Sequence, residues 1–317
     1  MNAEALRRAG IWPTVSLAVA ATAAGFNWLP LRALAREGLE SGWAGFATCV
    51  LATLMMLPLM LGRGRRLDAV ALSVLLTGLA NGGALALYAA SMLLTEVVRT
   101  LLLFYLTPMW GALLGILVLG ERLTAARILA ILLCLAGMAV ILGNTHGWPW
   151  PHNVGDWLAI LAGAVYAYGS LRVYAAHDVG ARAQTFATMI GCAVVSALVL
   201  LLLPASLAGP APSITPMLLL SVGAYALGMI IPINWLALWS AKYLTPARVG
   251  LIFALESVVG IASVALLIDE PFGWREMLGS ALVIVATLIE VVGHRPPDDQ
   301  LEPAQREQGD MLRTQDP

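Results

Sequence analysis

One carboxylate stands where acids are rare. Glu256 lies near the middle of a long apolar run, followed by Ser257. A charged side chain at the centre of a bilayer costs about 2.5–3.5 kcal/mol on insertion scales, so Glu256 must face protein or water. There it would hold a substrate ammonium or carry a proton. The plainer alternative is a protonated or hydrogen-bonded glutamate that ties helices together. A pool of aromatic and amide side chains accompanies it: Asn27, Trp28, Asn81, Tyr88 and Tyr105 early in the chain, and Tyr166, Tyr168, Asn234, Trp235 and Trp239 later. Apolar walls with a few polar anchors are how small-molecule pockets are built. Ordinary packing and anchoring at the headgroups would use the same residues.

Other residues bear on movement. Pro108 and Pro232 each remove one helical hydrogen bond and free a carbonyl, which suits a hinge or a tolerated kink. Arg99, Arg248, Arg32 and Arg172 are expected near the membrane faces, as charged latches at gates or as anchors snorkelling to headgroups. Glu96 precedes Arg99 by one helical turn and can pair with it. Gly78 with Gly82, and Gly111 with Gly115, have the small-xxx-small spacing that permits close helix contact. Glu121 and Glu270 end apolar runs and are expected to accept backbone N–H groups, with Thr124 as a cap.

Several chemistries are excluded. His146, His152, His177 and His294 lie outside the apolar runs, there is no His-Glu-x-x-His pair, and no Gly-x-Ser-x-Gly. No Gly-rich phosphate loop is present, so no nucleotide drive is expected. Cys49, Cys134 and Cys192 are isolated in apolar runs, with neither metal-ligand spacing nor a disulfide framework. No basic stripe with interleaved aromatics offers a nucleic-acid surface. Neither cofactor nor metal is expected, and the chain reads as a non-enzyme.

The elements that must position these residues follow from composition. The chain has 317 residues, 60% hydrophobic and 12% charged. Soluble domains carry about twice that share of charge, so a bilayer is the expected surroundings. A spanning helix needs about 20 apolar residues. Ten such spans are expected, at 11–31, 42–62, 69–91, 96–119, 124–143, 154–174, 184–204, 214–240, 245–268 and 274–293. Residues 1–10 and the polar tail 294–317 flank them, and 144–153 forms the longest connection. With the N-terminus in the cytoplasm, the opposite face holds only Arg32, Arg36, Arg99 and Arg275 of the 18 Lys and Arg residues. That bias predicts both termini inside. Ala20 to Ala24 resembles a cleavage site, but the apolar run continues past it and has a counterpart later, so no signal peptide is expected.

The two halves resemble each other. At one common offset Arg99 meets Arg248, Phe104 meets Phe253, Leu106 meets Leu255, Gly111 meets Gly260 and Glu121 meets Glu270. At a second, Leu31-Arg32 meets Leu171-Arg172 and Phe46-Ala47-Thr48 meets Phe186-Ala187-Thr188. Arginine is scarce here, so the arginine matches weigh most. Five spans per half put equivalent points on opposite faces. The expected fold class is therefore an all-α polytopic membrane protein of two inverted five-helix repeats, 11–143 and 154–293. Such a fold reaches mirror-related open states by exchanging the conformations of its halves.

The order Leu106-Thr107-Pro108, then Leu119-Gly120-Glu121-Arg122-Leu123-Thr124, then Ala136-Gly137, resembles the drug/metabolite transporter superfamily, EamA type. The second copy, Leu255-Glu256-Ser257 to Asp269-Glu270, departs from the usual pattern: Ser257 replaces a common proline and Asp269 a common glycine. The resemblance implies a carrier, usually an exporter of metabolites such as amino acids or of drugs, in a bacterial inner membrane, as monomer or homodimer. An amino acid would need Glu256 for its ammonium, Arg99 for its carboxylate and the aromatics for its side chain. A lipophilic cation would need no arginine.

Overall fold

The computed structural model describes residues 11–40, 42–61, 72–119, 124–142, 151–175, 179–204, 207, 209–241, 243–244, 246–267 and 273–293. The expectations for Glu121, Glu270, the tail and the greater part of the 144–153 connection lie outside these, as do the side chains of Pro108 and Arg248. Among the described residues every regular element is helical.

The order is α1 (Trp12–Gly25), α2 (Trp28–Arg36), α3 (Gly42–Leu61), α4 (Leu72–Leu94), α5 (Val97–Phe104), α6 (Thr107–Leu119), α7 (Ala125–Leu142), α8 (Val154–Ala175), α9 (Ala181–Leu202), α10 (Pro216–Tyr225), α11 (Ile231–Ser240), α12 (Pro246–Leu267) and α13 (Trp274–Gly293). A π-helical turn, Ala226–Ile230, joins α10 to α11.

Six helical runs among the described residues are long and apolar enough to cross a membrane: Trp12–Arg36, Gly42–Met60, Leu72–Leu94, Val154–Val173, Ala181–Leu202 and Pro216–Ser240. Shorter apolar stretches, Val97–Gly111, Ile128–Gly137, Leu255–Leu267 and Met277–Ala286, stand where the remaining four spans are expected. The outward faces are greasy, with Leu202 82% exposed. An α-helix satisfies its own backbone, which is what a lipid-facing segment requires.

Three of the runs are interrupted. The first breaks at Phe26–Asn27, the fourth at Tyr105–Leu106, and the eighth passes through the π turn. Each interruption sits just before a proline in the next helix's first turn: Pro30, Pro108 and Pro232. Proline lacks the N–H that an interior residue would donate, and a helix's first turn has no use for that donor. Pro58, by contrast, lies inside α3 without ending it.

Packing is closest between α4 and α9. A Cβ placed on Gly82 would strike the Thr188 carbonyl and the Cys192 amide nitrogen, and one on Gly78 would strike the Ala187 carbonyl. Glycine here lets the two backbones touch. Gly111 does not share this role, because a Cβ there meets nothing. Further pairs are α4 with α8, α3 with α9, α1 with α12 and with α11, α5 and α6 with α8, and α7 with α13. The larger buried core runs from Trp28, Leu31 and Met56 to Leu101, Phe104, Phe186, Met189 and Tyr225, and a smaller one joins α7 and α13 to Leu103, Leu106 and Met109.

The cysteines depart from the sequence reading. Cys49 of α3 and Cys192 of α9 form a disulfide, with Cα atoms 6.0 Å apart. Their separation of 143 positions left no local signal for it.

Candidate substrate site

The interrupted helices bring their polar side chains inward. Glu256 of α12 is only 7% exposed. The Tyr88 hydroxyl of α4 donates to its Oε1 at 3.3 Å. The Tyr105 hydroxyl, at the break between α5 and α6, approaches its Oε2 at 3.3 Å and the Phe253 carbonyl at 3.2 Å. Tyr105 has one proton for two acceptors. Ser257, next along α12, is buried.

An aromatic wall adjoins the carboxylate. The Phe104 ring lies 4.5 Å from that of Tyr88, 5.6 Å from that of Tyr105 and 5.4 Å from that of Tyr166, centroid to centroid. Ser91 and Thr100, both fully buried, bond to each other at 3.2 Å.

Asn27 and Trp28 occupy the first break. The Trp28 indole N–H donates to Ser263 Oγ of α12 at 2.9 Å, and the Tyr225 hydroxyl donates to Asn27 Oδ1 at 2.6 Å. Gly25 permits the approach of α1 to α12, since a Cβ there would lie 2.9 Å from the Glu256 carbonyl oxygen.

Arg99, Arg32 and Glu96 gather elsewhere. With Thr95, His152 and Asn153 they line a cavity of about 450 Å³. Arg99 is clamped by an acid that the sequence reading did not single out: its Nε and Nη2 donate to Asp156 Oδ1 and Oδ2 at 3.1 and 2.6 Å. Asp156 is fully buried, and it also accepts from Thr95 Oγ1 and the His152 amide. Asn153 caps the Asp156 amide at the start of α8.

The remaining candidates lie apart from Glu256. Tyr168, 42% exposed, sits with Arg172, whose guanidinium reaches its hydroxyl, Thr77 Oγ1 and the Ser73 carbonyl. Asn81 bonds back to the Thr77 carbonyl of its own helix and faces Gly169. Asn234 bonds to the Ile230 carbonyl just beyond the π turn, and Trp235 stacks on Trp239 at 6.4 Å. Pro232 lies in the first turn of α11. Arg248 falls in the first turn of α12.

Buried hydroxyls and rings gathered round one carboxylate, with Phe104 and Tyr105 at a helix break, have the chemistry to hold an organic solute. Among the described residues no group of His, Cys, Asp and Glu could hold a metal ion. The model of the EamA-like transporter family matches residues 11–143. Six long apolar helices among the described residues fit membrane surroundings and a multi-pass protein, as in that family. It is a family of transporters, not of enzymes. One solved crystal structure, described only as that of a protein, is similar at 18% identity over 88% of this chain and 97% of its own, with a TM-score of 0.54. That likeness concerns the fold alone. No curated protein matches the sequence.

Proposed function

We propose that the chain is a secondary carrier that exports a small metabolite, such as an amino acid, from the cytoplasm across a bacterial inner membrane. Residues 11–143 and 154–293 act as two inverted five-helix repeats, and exchange of their conformations alternates access to a central site. Both termini face the cytoplasm.

The observation that carries this reading is Glu256, a buried acid met by hydroxyls from α4 and from the interrupted α5–α6 pair. Carriers built from inverted repeats place their sites at discontinuous helices near the midplane. The helix contacts support the repeat, because they come in matching pairs. Contact of α1 with α12 has its counterpart in α5 and α6 with α8. Contact of α4 with α8 is matched by α11 with α1, and α4 with α9 by α10 with α3.

A second reading, export of a lipophilic cation, is favoured by one finding. Arg99, the expected carboxylate partner, already holds Asp156 through two hydrogen bonds.

The test is counterflow in proteoliposomes loaded in turn with amino acids, organic cations, sugars and nucleotides. One class should exchange, and Glu256→Gln should slow that exchange at least tenfold, as expected for loss of a charged anchor. Failure of every class to move under solute and pH gradients would sink the carrier reading.

A further inference from the structure

Buried carboxylates need partners, and that of Glu256 is under-supplied. An ionised carboxylate has about four acceptor positions. Hydroxyl donors to such a group sit at about 2.5–2.7 Å when the bond is strong. Here both stand at 3.3 Å, and Tyr105 divides its proton with the Phe253 carbonyl. Among the described residues no cationic side chain pairs with Glu256; the ion pair at Arg99 goes to Asp156 instead.

The four rings of Tyr88, Phe104, Tyr105 and Tyr166 form one connected wall, and two of them end in hydroxyls on the carboxylate. An anion beside aromatic rings is suited to one kind of guest. A cation gains Coulomb attraction from the acid and quadrupole attraction from the rings, while an anion gains neither and a neutral solute gains only contact area.

We propose that Glu256 is the counter-ion for an ammonium group, so that the solute of this site is an organic amine whose carbon skeleton lies along the Tyr88–Phe104–Tyr105–Tyr166 wall. This rests on the carrier reading for its setting but not for its chemistry. On arrival, the ammonium takes acceptor positions on Glu256 that the two tyrosines reach only at long range. The phenols then act as positioning groups that orient the carboxylate. A carboxylate elsewhere on the solute is neither required nor excluded by this site.

The experiment measures binding and transport separately, with four probes of one skeleton: phenethylamine, phenylalanine, 3-phenylpropionate and 2-phenylethanol. Binding is read from the unfolding midpoint of the full chain in detergent, since a ligand of the folded state raises it. Phenethylamine and phenylalanine should raise the midpoint, and the acid and the alcohol should not. Glu256→Gln keeps the shape: its amide oxygen accepts from one phenol and its amide nitrogen donates to the oxygen of the other, so its own midpoint should stay near that of the parent. It should weaken phenethylamine binding at least about tenfold, as for loss of an ionic hydrogen-bond partner. Tyr88→Phe offers a second variant, expected to weaken the same probe by a smaller factor.

The proposal is overturned if 3-phenylpropionate or 2-phenylethanol binds as well as the amine, if no probe binds at millimolar concentration, or if Glu256→Gln leaves amine binding intact. A site that takes a proton rather than an amine would show the last of these, with a pH-dependent midpoint that the variant abolishes. Amine binding without exchange in proteoliposomes would retain the site and remove the carrier. Exchange of amine-free solutes by Glu256→Gln would retain the carrier and remove the site.

Discussion

The Tyr225 hydroxyl donates to Asn27 Oδ1 at 2.6 Å, across 198 positions of sequence. Asn27 stands at the break between α1 and α2, and Tyr225 is the last residue before the π turn. One buried hydrogen bond therefore joins two of the three places where the helical runs are interrupted. A bond at such points holds irregular backbone in register, where intrahelical bonds do not.

Removing the donor should be felt. Tyr225→Phe leaves the buried Asn27 oxygen without its partner, at a cost of about 1–3 kcal/mol. Asn27→Leu combined with Tyr225→Phe should recover part of that loss, because neither position then carries an orphaned polar atom. Unfolding in bicelles by a graded denaturant reads both, and equal stability of Tyr225→Phe and the parent would dismiss the bond as inconsequential.

The clasp between Arg99 and Asp156 makes a sharper case. Arg99→Gln strands a carboxylate that is fully buried, and loss of one partner from a buried ion pair costs about 3–5 kcal/mol. Asp156→Asn should cost less, since Arg99 retains some contact with solvent. The double variant should fall well short of the sum of the single losses, as residues in one network do not add. Additive losses would mean that the two side chains act independently. The same clasp affects how transport by Arg99→Gln is interpreted, because lowered activity would report a loosened α5–α8 contact as readily as a lost substrate carboxylate.

Glycine positions with the same spacing should behave oppositely. Gly82→Ala pushes a methyl group into the α9 backbone at Thr188 and Cys192, and overpacking of this kind costs about 1–3 kcal/mol. Gly111→Ala meets open space in the middle of α6, so the helix gains up to about 1 kcal/mol from the better helix former. Paired unfolding measurements on the two variants decide this, and a stabilised Gly82→Ala would contradict the contact.

Much of the fold could be read from hydrophobic runs, because a lipid-facing helix must be apolar along its whole length. The breaks were only half legible. Pro108 and Pro232 marked two of them, since each removes a donor that an unbroken helix would use. The break at Asn27 was passed over, although Pro30 carried the same signal three residues later. Of the site, Glu256 stood out through its charge, and Tyr88 and Tyr105 were in the candidate pool. Their convergence on Glu256 was not legible, because it depends on how α4, α5 and α12 pack. Asp156 and Tyr225 went unnoticed for the same reason. Nothing local distinguishes an aspartate in the first turn of α8 that meets Arg99, 57 positions away, from one that merely caps a helix.

The Cys49–Cys192 bond gives the molecule a second seam. The peptide connection between α7 and α8 is therefore not the sole covalent link between the two halves of the chain. A protein nicked by a protease in that connection would stay one covalent object, migrate as a single band without reductant, and fall into two fragments once a thiol is added.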